Sequence, residues 1–189
     1  HWSGVRVLSA NVYGDTVRDA TSAVDANGAV HVAWRESTEL LYRKIDRNGN
    51  TLSHTVRTGW PVDSTGYGAR YVQLAPQPDG GAVVVWIDDG NVMGARLDGS
   101  GRVAQPPKVV ATGAFTYLAA DSAASGDVGI IAMELHLYPS TADSGRAVYF
   151  RTSGDLRPLS NKVTLTTRID SFAVRFTGID VEPDGTTHL

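Results

Sequence analysis

The hydrophobic positions of this chain form short runs that recur after glycine-containing turns. Four such runs are AVHVAW, GAVVVW, DVGIIA and TTHL. Apolar runs of this length, with a period of two or fully apolar, predict strands buried on one or both faces. No stretch shows a sustained helical period with capping residues. The pattern therefore predicts an all-β protein with negligible helix.

The turns that precede these runs are spaced like the units of a repeat protein. Their glycines are Gly28, Gly80, Gly126 and Gly185, at intervals of 52, 46 and 59 residues. Joining the end of the chain to its beginning closes the cycle with an interval of 32 residues. A mean period of about 47 residues suits a unit of four antiparallel strands.

Each unit continues into a third strand, a tight hairpin and a fourth strand, as in LLYRKIDRNGNTL and NVMGARLDGSGRVA. The residues 46–49 (DRNG) and 98–101 (DGSG) are predicted hairpin turns, because Asn and Gly accept the positive φ that tight hairpins need. The fourth strand is predicted in segments such as HTVRT and PKVVA.

One unit is divided between the two ends of the chain. Trp34 and Trp86 lie six positions after their turn glycines, and Trp2 takes the same place if Leu189 is joined to His1. The C-terminus would give the inner strands FTGIDVE and TTHL, and the N-terminus the outer ones, GVRVLSA and NVYGDTV. The alternatives are a fragment of a larger ring, or two copies that complete each other. The repeated Trp position predicts packing between units.

The pattern of strand, D-x-x-G turn and V-x-V-x-W strand resembles the bacterial sialidase-like, or BNR-type, β-propeller repeats. The resemblance covers essentially the whole chain. It implies a single β-propeller domain with four blades of four antiparallel strands, one of them shared between the N- and C-termini. The expected blades are about 18–58, 70–111, 116–167, and 172–189 together with 1–17. It implies little about function, because propellers host hydrolases, lyases, lectins and scaffolds.

Composition excludes several classes of protein. The chain has 189 residues, of which 42% are hydrophobic and 20% charged, as in an ordinary globular domain. A net charge of −3 offers no basic face for nucleic acid, and no apolar run has the length of a membrane span. The absence of Cys excludes disulfides and thiolate metal sites. Without an initiator Met or signal peptide, the chain is expected to be a mature or processed form of a secreted or cell-surface protein.

Charged residues recur at the ends of the first two strands of each unit. Ten residues before the turn glycines lie Arg18, Arg70, Thr116 and Arg175, and eight residues after them lie Glu36, Asp88, Glu134 and, by wrapping, Gly4. In an antiparallel hairpin Arg18 should face Glu36, and Arg70 should face Asp88, as cross-strand ion pairs.

Two neighbouring units break this rule, because Glu134 has no Arg in its hairpin and Arg175 has no acid. The two residues either pair across the boundary between units or stay available to a ligand. Sialidase-like enzymes hold a substrate carboxylate with an Arg cluster near the ends of inner strands, for which the planar, bidentate guanidinium is suited. The resemblance therefore implies a ligand-binding role for Arg18, Arg70 and Arg175.

Two loops carry further candidates. The segment ELHLYPSTADSG, residues 134–145, places His136 and Tyr138 on one side if extended, either at a ligand or simply as a strand extension. The segment 58–71 carries Trp60 and Tyr67 among Gly and Pro. An exposed aromatic there would stack on a sugar ring, and a buried one would fill the gap between blades.

The sequence predicts a non-catalytic, lectin-like module that binds a glycan or another small anionic or polar ligand. The F/Y-R-I-P motif of sialidases is missing, and no intact S-x-D-x-G-x-T-W box is present. The alternatives are a sialidase-like glycoside hydrolase with Glu134 as acid or base, and an assembly domain that forms a homodimer or part of an eight-bladed ring. No catalytic residue, metal or cofactor is predicted, since the calcium-like DRNGN segment lacks a twelfth-position Glu and the His residues lack zinc spacing.

Overall fold

The computed structural model describes residues 17–36, 39–53, 56–61, 70–136, 144–166, 179–182, 184 and 186–188. Within these residues every regular element is a β-strand, and the strands form four antiparallel sheets. The predicted all-β class is therefore confirmed. The same residues contain no helix with the length and apolar character that crossing a membrane requires.

The strands follow one another along the chain as simple antiparallel meanders. Sheet 1 consists of β1 (Val17–Val24), β2 (Val30–Glu36), β3 (Glu39–Ile45) and β4 (Val56–Pro61). Sheet 2 consists of β5 (Arg70–Pro76), β6 (Ala82–Asp88), β7 (Asn91–Leu97) and β8 (Val103–Ala111). Sheet 3 consists of β9 (Phe115–Ser122), β10 (Val128–His136), β11 (Ser144–Thr152) and β12 (Val163–Thr164). Sheet 4 consists of β13 (Asp180–Val181) and β14 (Thr187–His188).

The turns between the first two strands are built by a carboxylate and a glycine. Asp25 Oδ1 accepts the backbone N–H groups of Asn27 and Ala29, each at 2.9 Å, and Gly28 has a φ of 78°. A side chain that bonds its own turn favours this conformation, and glycine adopts positive φ without steric cost. The same left-handed conformation occurs at the other described turn glycines predicted from sequence, Gly49, Gly80, Gly101 and Gly126.

The sheets stack face to face in chain order. One apolar cluster joins sheets 1 and 2, and another joins sheets 2 and 3. On β6, Val84 and Trp86 face sheet 1, whereas Val83 and Val85 face sheet 3. Both faces of this strand are buried, which explains its continuous apolar run. The first strands also lie side by side, β1 next to β5, β5 next to β9 and β9 next to β13.

The recurring Trp position is a packing position. Trp34 and Trp86 are 3% and 1% exposed, respectively. Trp86 belongs to the cluster that joins sheets 1 and 2, which confirms packing between units at this residue. For Trp34 the structure shows burial alone, and Trp2 lies outside the described residues.

The register at the start of sheet 1 differs from the prediction. Cα pairing places Arg18 opposite Arg35 rather than Glu36, because a bulge between Arg18 and Thr21 shifts the register by one residue. Asp19, inside this bulge, has a φ of 52°, and its Oδ2 lies 3.4 Å from Arg35 Nε. The predicted Cα pairing of Arg18 with Glu36 is therefore wrong, and the acid across the strands from Arg35 is the bulge residue itself. The predicted ion pair between Arg18 and Glu36 depends on the Arg18 side chain, which lies outside the described part of the structure.

The same bulge recurs in the next sheet. Arg70 lies opposite Ile87 rather than Asp88, because the register shifts between Arg70 and Gln73. Tyr71, equivalent to the bulge residue of sheet 1, has a φ of 70°. A positive φ at a residue other than glycine costs about 1–3 kcal/mol, so its repetition marks a feature that the surrounding packing maintains.

Sheet 3 has the third copy of this irregularity. Glu134 lies opposite Phe115, whereas a continuous register would place it opposite Thr116. All three sheets thus have one extra residue near the start of the first strand, and in sheet 3 this residue, Thr116, lies slightly earlier relative to the turn glycine than Asp19 and Tyr71 do. A bulge of this kind bends the strand and redirects the side chains before it.

Sheet 4 contains the two inner strands that the sequence expected from the C-terminus. Asp180 pairs with His188 and Val181 pairs with Thr187. The N-terminal strands expected to complete this unit, within residues 1–16, lie outside the described residues.

Candidate functional site

Three cations occupy one equivalent position on the third strands. Register places Lys44 opposite His31, Arg96 opposite Val83 and Arg151 opposite Gly129. In each case the facing residue lies three positions after a turn glycine. Each cation forms an ion pair with an acid at the first turn of its own sheet. Aligning the third strands YRKI, GARL and YFRT would have exposed this row, which the sequence analysis did not identify.

The row begins with a buried polar network in sheet 1. Lys44 Nζ lies 3.0 Å from Asp25 Oδ2 and donates a 2.6 Å hydrogen bond to the carbonyl oxygen of Gly80 in the next sheet. His31 Nε2 lies 3.3 Å from the same Asp25 oxygen, and Tyr42 Oη lies 2.7 Å from His31 Nδ1. The network therefore joins two sheets while it satisfies its own buried groups.

Burial and hydrogen bonding set the charges of this network. Burial alone would raise the pKa of Asp25, but the N–H of Ala29 and the side chains of Lys44 and His31 outweigh it and lower the pKa to about 2. Burial lowers the pKa of His31, which Asp25 only partly offsets. Burial also raises the pKa of Tyr42. An ionised Asp25, a neutral His31 and a protonated Tyr42 form a structural arrangement, and His31 and Tyr42 are both 0% exposed.

The second and third cations hold more exposed partners. Arg96 bridges Asp79 of its own sheet and Asp155 of sheet 3, with nitrogen–oxygen distances of 2.6 Å to each. Arg151 Nη2 donates to Asp127 Oδ2 at 2.8 Å. Burial raises the pKa of Asp79, but the N–H of Gly81 and the Arg96 side chain outweigh it and lower the pKa. Cations of the fold thus hold all three of these acids in ion pairs.

Glu134 forms a second charged cluster at the opposite end of the sheets. Its Oε2 lies 2.6 Å from Arg146 Nη2 on the facing strand, and its Oε1 lies 3.0 Å from Lys162 Nζ. The lysine also lies 5.3 Å from the centre of the Phe115 ring. Burial raises the pKa of Glu134, but hydrogen bonds from Lys162 and Arg146 outweigh it and lower the pKa.

Glu134 binds two cations that the sequence did not indicate, while its predicted pairing with Arg175 lies outside the described residues. The sequence considered only Arg175 across the unit boundary or a free acid, because it sought a cation on the first strand. The cations come instead from β11 and from the segment that precedes β12. The side chain of Glu134 is 9% exposed and binds both of them.

Trp60 takes the buried position rather than the exposed one. It is 5% exposed, and its ring stacks on Trp86 of sheet 2, with centroids 5.5 Å apart and an interplanar angle of 9°. This placement corresponds to the alternative in which the aromatic fills the gap between neighbouring units. A ring held in this way is not presented for stacking on a sugar.

The other predicted site residues are described only in part. Arg18, Arg70 and His136 have described backbones within strands, but their side chains lie outside the described part of the structure. Tyr67, Tyr138 and Arg175 lie wholly outside the described residues.

The turns at one end of the stacked sheets enclose a cavity of about 300 Å³, here called the turn-end cavity. It is lined by residues 24–27, 76–78 and 121–124, the ends of β1, β5 and β9 and the turns that follow them. Arg18, Arg70 and Glu134 lie at the other end of these hairpins. The cavity is therefore at the opposite end of the sheets from the ligand site that the sequence predicted.

Polar groups line the turn-end cavity. Asp25, Asn27, Gln77, Asp121 and Ser122 contribute to it. Two of them also connect sheets, since Asp121 Oδ2 accepts the N–H of Val181 at 2.9 Å and the Ser122 hydroxyl donates to the carbonyl of Pro76. A concave site on three equivalent elements, with several hydrogen-bonding groups, has the features of a small-ligand pocket.

A second cavity, of about 400 Å³, lies between the outer parts of sheets 2 and 3. It is lined by residues 109–112, 150–152, 158 and 160–162. No group of three His, Cys, Asp or Glu side chains in the described part of the chain is placed to hold a metal ion.

Comparisons with known proteins bear on the fold. No protein-family model matches the chain, and no curated protein sequence matches it significantly. Its structure is similar to a chain of hydrazine synthase from Kuenenia stuttgartiensis, with a TM-score of 0.52 and 14% sequence identity. The match covers 86% of this chain and 46% of the other, so this chain spans less than half the length of that neighbour. At this identity the likeness concerns the fold alone.

Proposed function

We propose that the four sheets are consecutive blades of a β-propeller, with the fourth blade shared between the two termini. Face-to-face stacking in chain order and the side-by-side first strands support this proposal. The recurrence of one bulge and one cation position in successive sheets supports it further. The N-terminal segment GVRVLSA would then complete the fourth blade by pairing with β14.

We propose that the module binds a ligand without transforming it, in a lectin-like manner. The observation that carries this proposal is the state of one acid. Glu134, the acid that the sequence considered for catalysis, is ion-paired with Arg146 and Lys162, and its pKa is lowered by them. A glycosidase needs a protonated carboxyl group as general acid, which generally requires a raised pKa. Cations close to a carboxylate have the opposite effect.

The turn-end cavity is the ligand site in this proposal. Its amide and carboxylate groups suit the hydroxyl groups of a glycan, which both donate and accept hydrogen bonds. Hydroxyl-rich ligands are positioned by a few polar groups in a concave site. We expect secreted or cell-surface glycans to be the class to test first.

A glycan array with the purified chain tests this function, followed by product analysis for every glycan that binds. Binding without turnover supports the lectin-like module. Cleavage of a bound glycan would instead support the sialidase-like enzyme, with Arg18, Arg70 and Arg175 as the carboxylate clamp. An array without any binding contradicts the proposal.

Two equivalent asparagines provide a matched pair of variants. Asn27 lies in the turn DANG and lines the cavity, whereas Asn48 lies in the turn DRNG and does not line it. Both are exposed. Asn27→Ala should weaken glycan binding, and Asn48→Ala should leave it unchanged. Equal effects of both would place the glycan elsewhere.

An assembly role is the second candidate, favoured by apolar side chains on the outer strands. Val109 on β8 and Val163 on β12 are 50% and 52% exposed, and Leu159 nearby is 50% exposed. Apolar residues concentrated on outer edges are typical of surfaces that pack against another chain. Light scattering coupled to size exclusion tests this role, since a monomer at all concentrations would contradict self-association.

A further inference from the structure

The turn-end cavity combines two carboxylates with no basic side chain. Asp25 and Asp121 both line it, and none of its described lining residues is Lys, Arg or His. Its charge therefore differs from that of the Glu134 cluster, where two cations surround one acid. The sign of this charge restricts which ligands the cavity accepts.

The charge of Asp25 is already balanced within the fold. Its Oδ2 faces Lys44 Nζ at 3.0 Å, and its Oδ1 accepts two backbone N–H groups. A ligand group would have to displace one of these buried bonds to reach it. Asp25 therefore lines the cavity without being available to a ligand.

Asp121 is different. Its Oδ2 accepts the N–H of Val181, and no ion pair to Asp121 is present among the described residues. It is only half-buried, so its second oxygen can accept a further hydrogen bond. A carboxylate without a cation, at the wall of a concave site, gains most from a ligand that brings a positive charge.

Gln77 lies in the same wall but is occupied by the fold. It is 4% exposed, and its Nε2 donates to the carbonyl oxygen of Ala75 at 3.2 Å. Its Oε1 lies against Gly126 and Gly154, so Asp121 is the acceptor on which the ligand argument depends. Val24, Pro76 and Pro78 contribute apolar surface beside these groups.

We propose that the turn-end cavity selects ligands that carry a primary ammonium group, an amino sugar within the glycan class. The proposal rests on the lectin-like function and names the chemistry of its ligand. An ammonium group donates a charge-assisted hydrogen bond to Asp121 and neutralises its charge. Ligands that carry a carboxylate are repelled by the same residue.

Titration with glucosamine, glucose and glucuronate, below neutral pH so that the amine is protonated, tests the selection. Glucosamine should bind about tenfold more tightly than glucose, as expected for a charge-assisted hydrogen bond. Glucuronate should bind more weakly than glucose. Added salt should reduce the advantage of glucosamine, because ions screen the attraction.

Asp121→Asn is the deciding variant. The Asn carbonyl can still accept the Val181 N–H, so the attachment of sheet 4 is kept while the charge is lost. Glucosamine and glucose should then bind equally. Asp89→Asn is the control. It removes the same charge from an exposed turn that follows β6, at the end of the sheets away from the turn-end cavity.

The outcomes separate the two proposals. Glucose and glucosamine binding equally to the unchanged chain would overturn ammonium selection and leave the lectin-like function standing. Ammonium selection would also be overturned if Asp121→Asn changed the affinity for glucosamine no more than Asp89→Asn does. Failure of all three sugars to bind, together with an array without hits, would overturn both.

Discussion

The rings of Trp60 and Trp86 stack in near-parallel planes, 5.5 Å apart, although they belong to different sheets. Trp60 lies on the last strand of sheet 1, and Trp86 lies in the middle of sheet 2. Both are buried, so this ring pair is part of the core between the sheets. The aromatic of a Gly- and Pro-rich segment thus acts as a packing residue.

Trp60→Ala should lower the free energy of unfolding by about 3–5 kcal/mol, because it leaves a large cavity next to Trp86. Trp60→Phe should cost less, since part of the ring contact is kept. Denaturant unfolding of the three proteins measures both effects. Lost glycan binding at unchanged stability would instead indicate a ligand-binding role for Trp60.

Lys44→Met should be much more destabilising than Arg96→Met. Removal of Lys44 leaves the buried Asp25 carboxylate without its cation, which costs about 3–5 kcal/mol in comparable buried pairs. The partners of Arg96, Asp79 and Asp155, are 51% and 39% exposed, so water compensates for most of its loss, and about 1 kcal/mol is expected. Thermal and denaturant unfolding test this order, and equal losses would contradict it.

Stability should fall as the pH drops below about 6.5, the ordinary pKa of histidine. Burial lowers the pKa of His31 in the folded protein, so the unfolded chain takes up a proton first. This contribution is fully present above pH 6.5 and is lost as the pH falls towards the folded pKa, at no more than about 1.4 kcal/mol per pH unit.

The His31→Gln variant is the control for this dependence. It should lose the slope in this range and keep an acid transition between about pH 4 and 2, where the unfolded chain takes up a proton on Asp25 and the folded protein, in which its pKa is about 2, does not. Melting temperatures measured across the pH range test both. A variant with the slope of the unchanged protein would assign the effect to another group.

Glu134→Gln should reduce stability by about 1–3 kcal/mol without affecting glycan binding, because it leaves Arg146 and Lys162 without their shared acid. Denaturant unfolding of this variant tests the predicted loss of stability, and its binding to the glycan array tests the predicted lack of effect on the ligand. If binding is lost while melting is unchanged, Glu134 belongs to a ligand site after all.

The turns were predictable because their signals are local. Gly28, Gly80 and Gly126 each adopt the positive φ expected of a turn glycine. An Asp that bonds its own turn and a glycine that accepts positive φ need no information from elsewhere in the chain. The alternation and burial of the strands that follow were predictable for the same reason.

The Cα pairing of the charged residues was not predictable from spacing. A bulge adds one residue to the first strand of sheets 1, 2 and 3, and in sheets 1 and 2 it contains a non-glycine residue at positive φ, Asp19 and Tyr71, respectively. One inserted residue is enough to move Arg18 opposite Arg35. For Glu134, the cations come from a facing strand and a distant segment, a relationship that depends on the completed fold.

The row of third-strand cations has a consequence for the order of the sheets. Lys44 extends to a backbone carbonyl of the next sheet, whereas Arg96 extends to a carboxylate of the next sheet. The joint between sheets 1 and 2 therefore requires no particular side chain on the receiving turn, whereas the joint between sheets 2 and 3 requires an acid at position 155. Repeats that look interchangeable in sequence thus differ in what they demand of the sheet that follows.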